Sequence, residues 1–266
     1  MALSPLVMGI VNVTPDSFYP GARTQAHDEA IARGRALFEQ GCDVVDVGGE
    51  STRPGAQPVD AAEELARVLP VVEALSPRGP VSIDTTKRDV AVAAVRAGAT
   101  IINDVSSSLL EVASELGVGY VAMHAQGDST TMQVNPTYDD VVAEVGAFLE
   151  DQARAAMTLG VSPCWIDPGI GFGKTVAHNL ALLAHCARFV EIGARYGAGV
   201  LIGTSRKRFL EHLGDEPLSV DERLEGSMAT AAWAMLEGAS MVRVHDAAEA
   251  VLLRDLIVRP LDEVHA

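Results

Sequence analysis

Short apolar runs that end abruptly in a polar or charged residue recur along this chain. The run 7–13 ends near Asn12, and 42–48 runs on into Glu50-Ser51-Thr52-Arg53. Further runs close on Asp84, on Asn103 and Asp104, on Asp167, and on Arg243 and His245. This is the pattern of a buried parallel strand whose C-terminal tip faces a site. It predicts strands near 7–13, 42–48, 80–85, 101–105, 120–124, 164–168, 199–204 and 241–245. The stretches between them carry helical periodicity. One over 27–40 sets Ala30, Ile31, Gly34, Leu37 and Phe38 on one face. Others are predicted over 61–75, 88–97, 139–159, 177–196 and 222–237, with a shorter, weaker one over 108–116. Gly41, Gly98, Gly117, Gly160, Gly197 and Gly238 each follow such a stretch, where a helix-ending glycine belongs.

Strand alternating with helix through eight rounds implies parallel strands joined by crossover helices. The expected fold class is α/β, a single (β/α)8 barrel with long loops after the first two strands. A doubly wound open sheet is the alternative, but it gathers its ligand groups at one crevice rather than at nearly every strand end. The chain has 266 residues, the size of one barrel, and shows no linker or low-complexity segment. One domain, 1–266, is therefore expected. The two longest irregular stretches, 14–25 and 49–60, are rich in Pro and Gly and follow early strands. Their position on the active face suggests lids.

Charge narrows the partners. Twenty Lys and Arg stand against 36 Asp and Glu, a net charge of −16. Such a surface repels nucleic acid and anionic membranes, so an anionic ligand would need a local basic cluster. No run reaches the length of a membrane span. The start, Met1-Ala-Leu-Ser-Pro5, lacks the regions of a signal peptide. Cys42, Cys164 and Cys186 are scattered, without zinc spacing, and read as small buried side chains in a reducing compartment. A cytoplasmic location is expected.

The strand tips divide into two sets. Asp84, Asn103 and Asp167 supply acceptors and an amide, which is what a flat heterocycle with ring N–H and amino groups requires. Asp84 has a competing reading as a helix cap before Thr85-Thr86-Lys87. The basic set is Arg53, Lys207, Arg243 and His245. In an acidic protein these point to an anion, most simply a phosphate at the ends of the last two strands. Arg206 and Arg208 read instead as surface ion pairs. The glycine-rich run Gly169-Ile-Gly-Phe-Gly-Lys174 lacks the spacing of a nucleotide P-loop and reads as a turn presenting Phe172. His124, alone at a strand end, reads as a structural hydrogen-bonder.

The motifs Met8-Gly-Ile-Val-Asn-Val-Thr-Pro-Asp-Ser-Phe18, Asp46-Val-Gly-Gly-Glu-Ser-Thr-Arg-Pro-Gly55, Ser82-Ile-Asp-Thr85, Ile102-Asn-Asp-Val105, Asp167-Pro-Gly-Ile-Gly-Phe-Gly-Lys174, Gly203-Thr-Ser-Arg-Lys207 and Arg243-Val-His245 resemble the dihydropteroate synthase family, in order and over essentially the whole chain. The resemblance implies a barrel enzyme of folate biosynthesis. It would join 6-hydroxymethyl-7,8-dihydropterin pyrophosphate to 4-aminobenzoate, giving 7,8-dihydropteroate and pyrophosphate. Carried over by position, Asp84, Asn103, Met123, Asp167 and Lys207 would hold the pterin. Thr52, Arg53, Arg243 and His245 would meet the pyrophosphate. Phe18, Arg53, Pro54, Phe172, Ser205 and Lys207 would form the aminobenzoate site. Asn12 would help bind Mg2+, and a homodimer is expected. Asp84, Asp167, Lys207, Arg243 and His245 would carry the catalysis.

Two departures from the family pattern stand out. The first loop reads Asp16-Ser-Phe-Tyr19-Pro20-Gly-Ala22, with Pro20 in place of a second aspartate. The stretch after the fourth strand reads Val105-Ser-Ser-Ser108 where Ser-Gly-Gly is usual. The competing functions are a pterin-binding methyltransferase, which would have no use for a pyrophosphate site, and a catalytically weak pterin-binding paralogue, suggested only by Pro20.

Overall fold

The computed structural model describes residues 4–13, 20–51, 57–127, 131–213 and 216–258, with side chains in the second stretch from Gln25 onward. Eight parallel strands close a barrel among these residues: β1 (Leu6–Asn12), β2 (Val44–Gly48), β3 (Val81–Asp84), β4 (Ile101–Asp104), β5 (Gly119–Met123), β6 (Cys164–Asp167), β7 (Gly199–Ile202) and β8 (Met241–Val244). Each strand pairs with the next, and β8 returns to β1 with Val7 opposite Val242. The doubly wound alternative is excluded by this closure.

The helices are α1 (Pro20–Glu39), α2 (Ala61–Leu75), α3 (Arg88–Arg96), α4 (Leu110–Leu116), α5 (Val141–Thr158), α6 (Val176–Ala184), α7 (Cys186–Arg195), α8 (Leu224–Leu236) and α9 (Ala247–Val258). The starts of α2, α5 and α6 follow the capping chemistry of the sequence. The Asp60 carboxylate accepts from Glu63 N at 2.8 Å, Asp140 accepts from Val142 N and Ala143 N, and Thr175 caps α6. The six helix-ending glycines all take positive φ.

Two expectations about helices need correction. The helix expected over 27–40 begins at Pro20, which shortens the predicted loop 14–25; proline is well suited to a first helical turn, where its missing N–H costs nothing. The single helix expected over 177–196 is broken at His185. There the ring Nδ1 hydrogen-bonds the Ala181 carbonyl at 2.8 Å, sharing an acceptor that His185 N also uses at 3.2 Å.

Two apolar layers set the site's height. The larger core lies between strands and helices. The smaller fills the barrel: Met8, Val44, Ile101, Val121, Trp165, Leu201 and Met241. Side chains two residues apart on a strand share a face. The positions directly above this plug are therefore Ile10, Asp46, Asn103, Met123, Asp167 and Arg243. The plug closes the barrel below and leaves a polar layer at its C-terminal mouth, where barrel enzymes carry their sites.

Candidate active site

Arg243 on β8 reaches across the barrel to two carboxylates. Its Nε donates to Asp46 Oδ2 at 2.6 Å and its Nη2 to Asp84 Oδ2 at 2.8 Å. Asn103 Nδ2 donates to the same Asp46 oxygen at 3.0 Å. Asp46 is fully buried. One carboxylate thus holds both Arg243 and Asn103, and turns the amide so that its carbonyl is the group left for a ligand. Burial pushes the Asp84 carboxyl up to about 7, against the pull of Arg243. The helix-cap reading of Asp84 fails, since the N-cap of α3 is Lys87, with no side-chain cap, and Asp84 is paired across the barrel.

The opposite side is built differently. Asp167 ends β6 and accepts from Gly169 N at 2.7 Å; burial raises its carboxyl, and the nearby Lys207 ammonium pulls it back. Lys207 donates to the Ile170 carbonyl and stands 4.5 Å from the centre of the Phe172 ring. Burial lowers its ammonium to about 8, with Asp167 opposing. Met123 lies beside Asp167 in register. His245 is fixed by Ser205, whose Oγ accepts from His245 N at 3.1 Å and lies 3.0 Å from Nδ1. Ser205, expected at the aminobenzoate, is therefore tied first to a residue expected at the pyrophosphate.

Asn12 is exposed at the tip of β1 and lines a cleft of about 330 Å³ with Ile10, Val11, Val13, Ala26, Glu29, Ala30 and Arg33. Phe18, Thr52, Arg53 and Pro54 lie outside the described residues.

The expected division into an acidic wall and a separate basic rim is not what the barrel builds. Arg243 sits among the acids, because a long side chain on β8 reaches β2 and β3 inside a closed barrel. Arg206 and Arg208 pair at the surface as expected, with Asp246 and Asp221 and with Glu211 respectively. Asp104, adjacent to Asn103, faces outward and ties the following turn together: it accepts from Ser106 N, Ser108 N, Leu109 N and Tyr120 Oη. In that turn Ser107 holds φ 53, and its hydroxyl donates to the Met123 carbonyl at 2.9 Å. The three cysteines are buried free thiols, each pushed up to about 12 by burial.

Three features escaped sequence reasoning. Asp46 carries the network, and its signal was a charge alternating with valines inside a strand. Lys87 bonds both Glu50 and the fully buried Glu64, tying the root of the β2 loop to α2 and α3. Lys174 is buried in the β6 loop.

Residues 8–245 match the family model described as pterin binding enzyme. The chain belongs to this family. It is 43% identical to the dihydropteroate synthase of Escherichia coli over 255 residues, covering 93% of this chain and 88% of that protein. The dihydropteroate synthase of Xanthomonas albilineans solved with 4-aminobenzoic acid superposes with a TM-score of 0.85 at 44% identity, over 96% of this chain and 94% of that one. The same enzyme in complex with 7,8-dihydropteroate gives 0.82 at 41% identity, over 96% and 95%. No described helix is long and apolar enough to cross a membrane.

Proposed function

We propose that this chain is a dihydropteroate synthase, joining 6-hydroxymethyl-7,8-dihydropterin pyrophosphate to 4-aminobenzoate with release of pyrophosphate. The observation that carries the reading is the polar layer above the apolar plug: Asp84, Asn103, Asp167, Lys207 and Arg243 converge at one barrel mouth, in a chain whose relatives over nearly its full length are dihydropteroate synthases.

In this reading Asp84 accepts from the pterin's ring and amino N–H groups, the Asn103 carbonyl accepts beside it, and Lys207 donates to the ring's acceptors. Met123 packs on the face. Arg243 and His245, with Thr52 and Arg53, take the diphosphate. Breaking the C–O bond sends the electron pair to the diphosphate and leaves a cation on the exocyclic methylene, conjugated with the pterin. Asp167 stabilises that cation. The amine of 4-aminobenzoate, placed by Phe172, Lys207 and Ser205 with Phe18 and Pro54, attacks the methylene and then loses a proton. A weakly basic aryl amine meeting a cation needs no strong general base.

The described residues contain no cluster of three His, Cys, Asp or Glu fit for a metal. A single hard oxygen, that of Asn12, suits Mg2+, which is commonly held by one or two protein oxygens with substrate phosphates and water. Asn12 would hold the ion, which when bound neutralises diphosphate charge. Trp233 and Leu236 on α8 and Leu252 and Leu256 on α9 are large exposed apolar side chains, and they would form the face of a homodimer. The charge balance, with three reduced thiols, favours the cytoplasm, and one pterin-binding barrel accounts for the whole chain, 1–266.

The test is direct: incubate the protein with the pterin pyrophosphate, 4-aminobenzoate and Mg2+, and measure dihydropteroate. Pterin binding without product would overturn this reading in favour of a weak paralogue.

A further inference from the structure

Lys174 is buried in the loop between β6 and α6, where a charge is costly. Its Nζ has four acceptors: Phe172 O at 2.9 Å, Gly169 O at 3.0 Å, His124 Nδ1 at 3.1 Å and His124 O at 3.2 Å. An ammonium has three hydrogens, so its donor capacity is exhausted here. His124 packs edge-on to Phe148, and burial lowers its ring to about 4; it is a neutral acceptor at Nδ1. Burial lowers Lys174 itself to about 7, with Asp167 pulling it back up.

The carbonyls that meet at Lys174 bracket a short segment. Gly169 and Phe172 stand at its ends. Within it lie the Ile170 carbonyl, which accepts from Lys207, and the Phe172 ring, over which Lys207 stands. The third carbonyl belongs to the β5 loop, whose backbone runs directly against this one. A Cβ at Gly169 would fall 1.8 Å from His124 O, and one at Gly173 2.3 Å from Gln126 O. With no side chain to separate them the two backbones approach closely, and the Lys174 ammonium bonds carbonyl oxygens of both.

We propose that Lys174 is a positioning residue, fixing the β6 loop so that Ile170 and Phe172 hold Lys207 in the geometry that binds the pterin. The inference rests on the synthase reading of the site. Other bonds keep the loop folded without it: Asn179 Oδ1 accepts from Gly171 N at 2.7 Å, Tyr138 Oη donates to Gly173 O at 2.9 Å, and Gln133 Nε2 donates to Gly171 O at 2.7 Å. Losing Lys174 therefore displaces the platform without dissolving it.

The experiment measures 6-hydroxymethylpterin affinity by calorimetry in the wild type, Lys174→Met, Lys207→Met and the double variant, beside their unfolding midpoints. Wild-type turnover is measured first, so that failure of the synthase reading shows there and not in the comparison. Lys174→Met is expected to weaken the pterin about tenfold in the wild-type background and less than about threefold in the Lys207→Met background, the coupling of residues that act as one unit. Unchanged affinity in Lys174→Met, or an equal loss in both backgrounds, would overturn the proposal and leave Lys174 a fold staple only. Should the methionine variant not fold, Lys174→Gln, which keeps two donors, decides by the same two ratios.

Discussion

On the β2–β3–β8 side of the barrel mouth, Arg243 is held by side chains, Asp46 and Asp84, that are themselves ligand groups or hold them. On the β6–β7 side, Lys207 is held by a backbone carbonyl and an aromatic ring in a loop bonded from within. The first arrangement is built to exchange partners. In the proposed function, a pterin donating N–H groups to Asp84 would compete with Arg243, whose guanidinium would then turn to the diphosphate. The second is preorganised and offers its cation in a fixed direction, which is what a transition-state electrostatic contact demands.

The largest expected effect tests the preorganised side. Lys207→Ala or Asp167→Asn lowers kcat/KM by about 10³-fold or more with a nearly unchanged unfolding midpoint; near-normal turnover in either would remove that side from the chemistry. Next comes the exchanging side. Arg243→Met strands two buried carboxylates and costs about 3 kcal/mol of stability at neutral pH, besides activity. The sign with pH is fixed: without the guanidinium the Asp84 carboxyl, already raised to about 7, rises further. A folded-state value above the unfolded one favours the fold at low pH and loses that contribution as pH rises. Denaturant midpoints of the variant should therefore approach those of the wild type as pH falls, and a constant gap would contradict the pairing.

A smaller effect separates the two cations. Lys207 titrates near 8, whereas Arg243 keeps its charge. Pterin affinity should fall by up to about tenfold per pH unit above 8, as the Lys207 ammonium is lost, and Lys207→Arg should flatten that fall. The smallest effect lies away from the site: Trp233→Asp on α8 should convert a dimer to monomer in sedimentation while leaving the pterin affinity of the barrel within about threefold.

Much of this site was legible in the chain because strand periodicity is strict. A run such as Val-Ser-Ile-Asp84 fixes which residue points inward once its partner face is apolar, so Asp84, Asn103, Asp167 and Arg243 are legible as tips in the chain itself. Asp46 was hidden among valines, one pleat below the tip, where only a three-dimensional layer distinguishes a site residue from a buried structural charge. Lys174 looked like the tail of a glycine-rich turn, since its acceptors are backbone carbonyls, which every residue possesses and no sequence pattern marks.

The alternation of strand and helix and the inward polar tips were set by the chain itself, because those depend on short-range periodicity and on the right-handed crossover of parallel strands. That the sheet closes on itself rather than staying open was settled in three dimensions. Only the tertiary structure decided which tips meet. Arg243 finds Asp46 and Asp84 across separations of 197 and 159 residues. Barrel closure sets β8 beside β1, within reach of β2 and β3, and the apolar plug beneath lifts all three side chains into one layer.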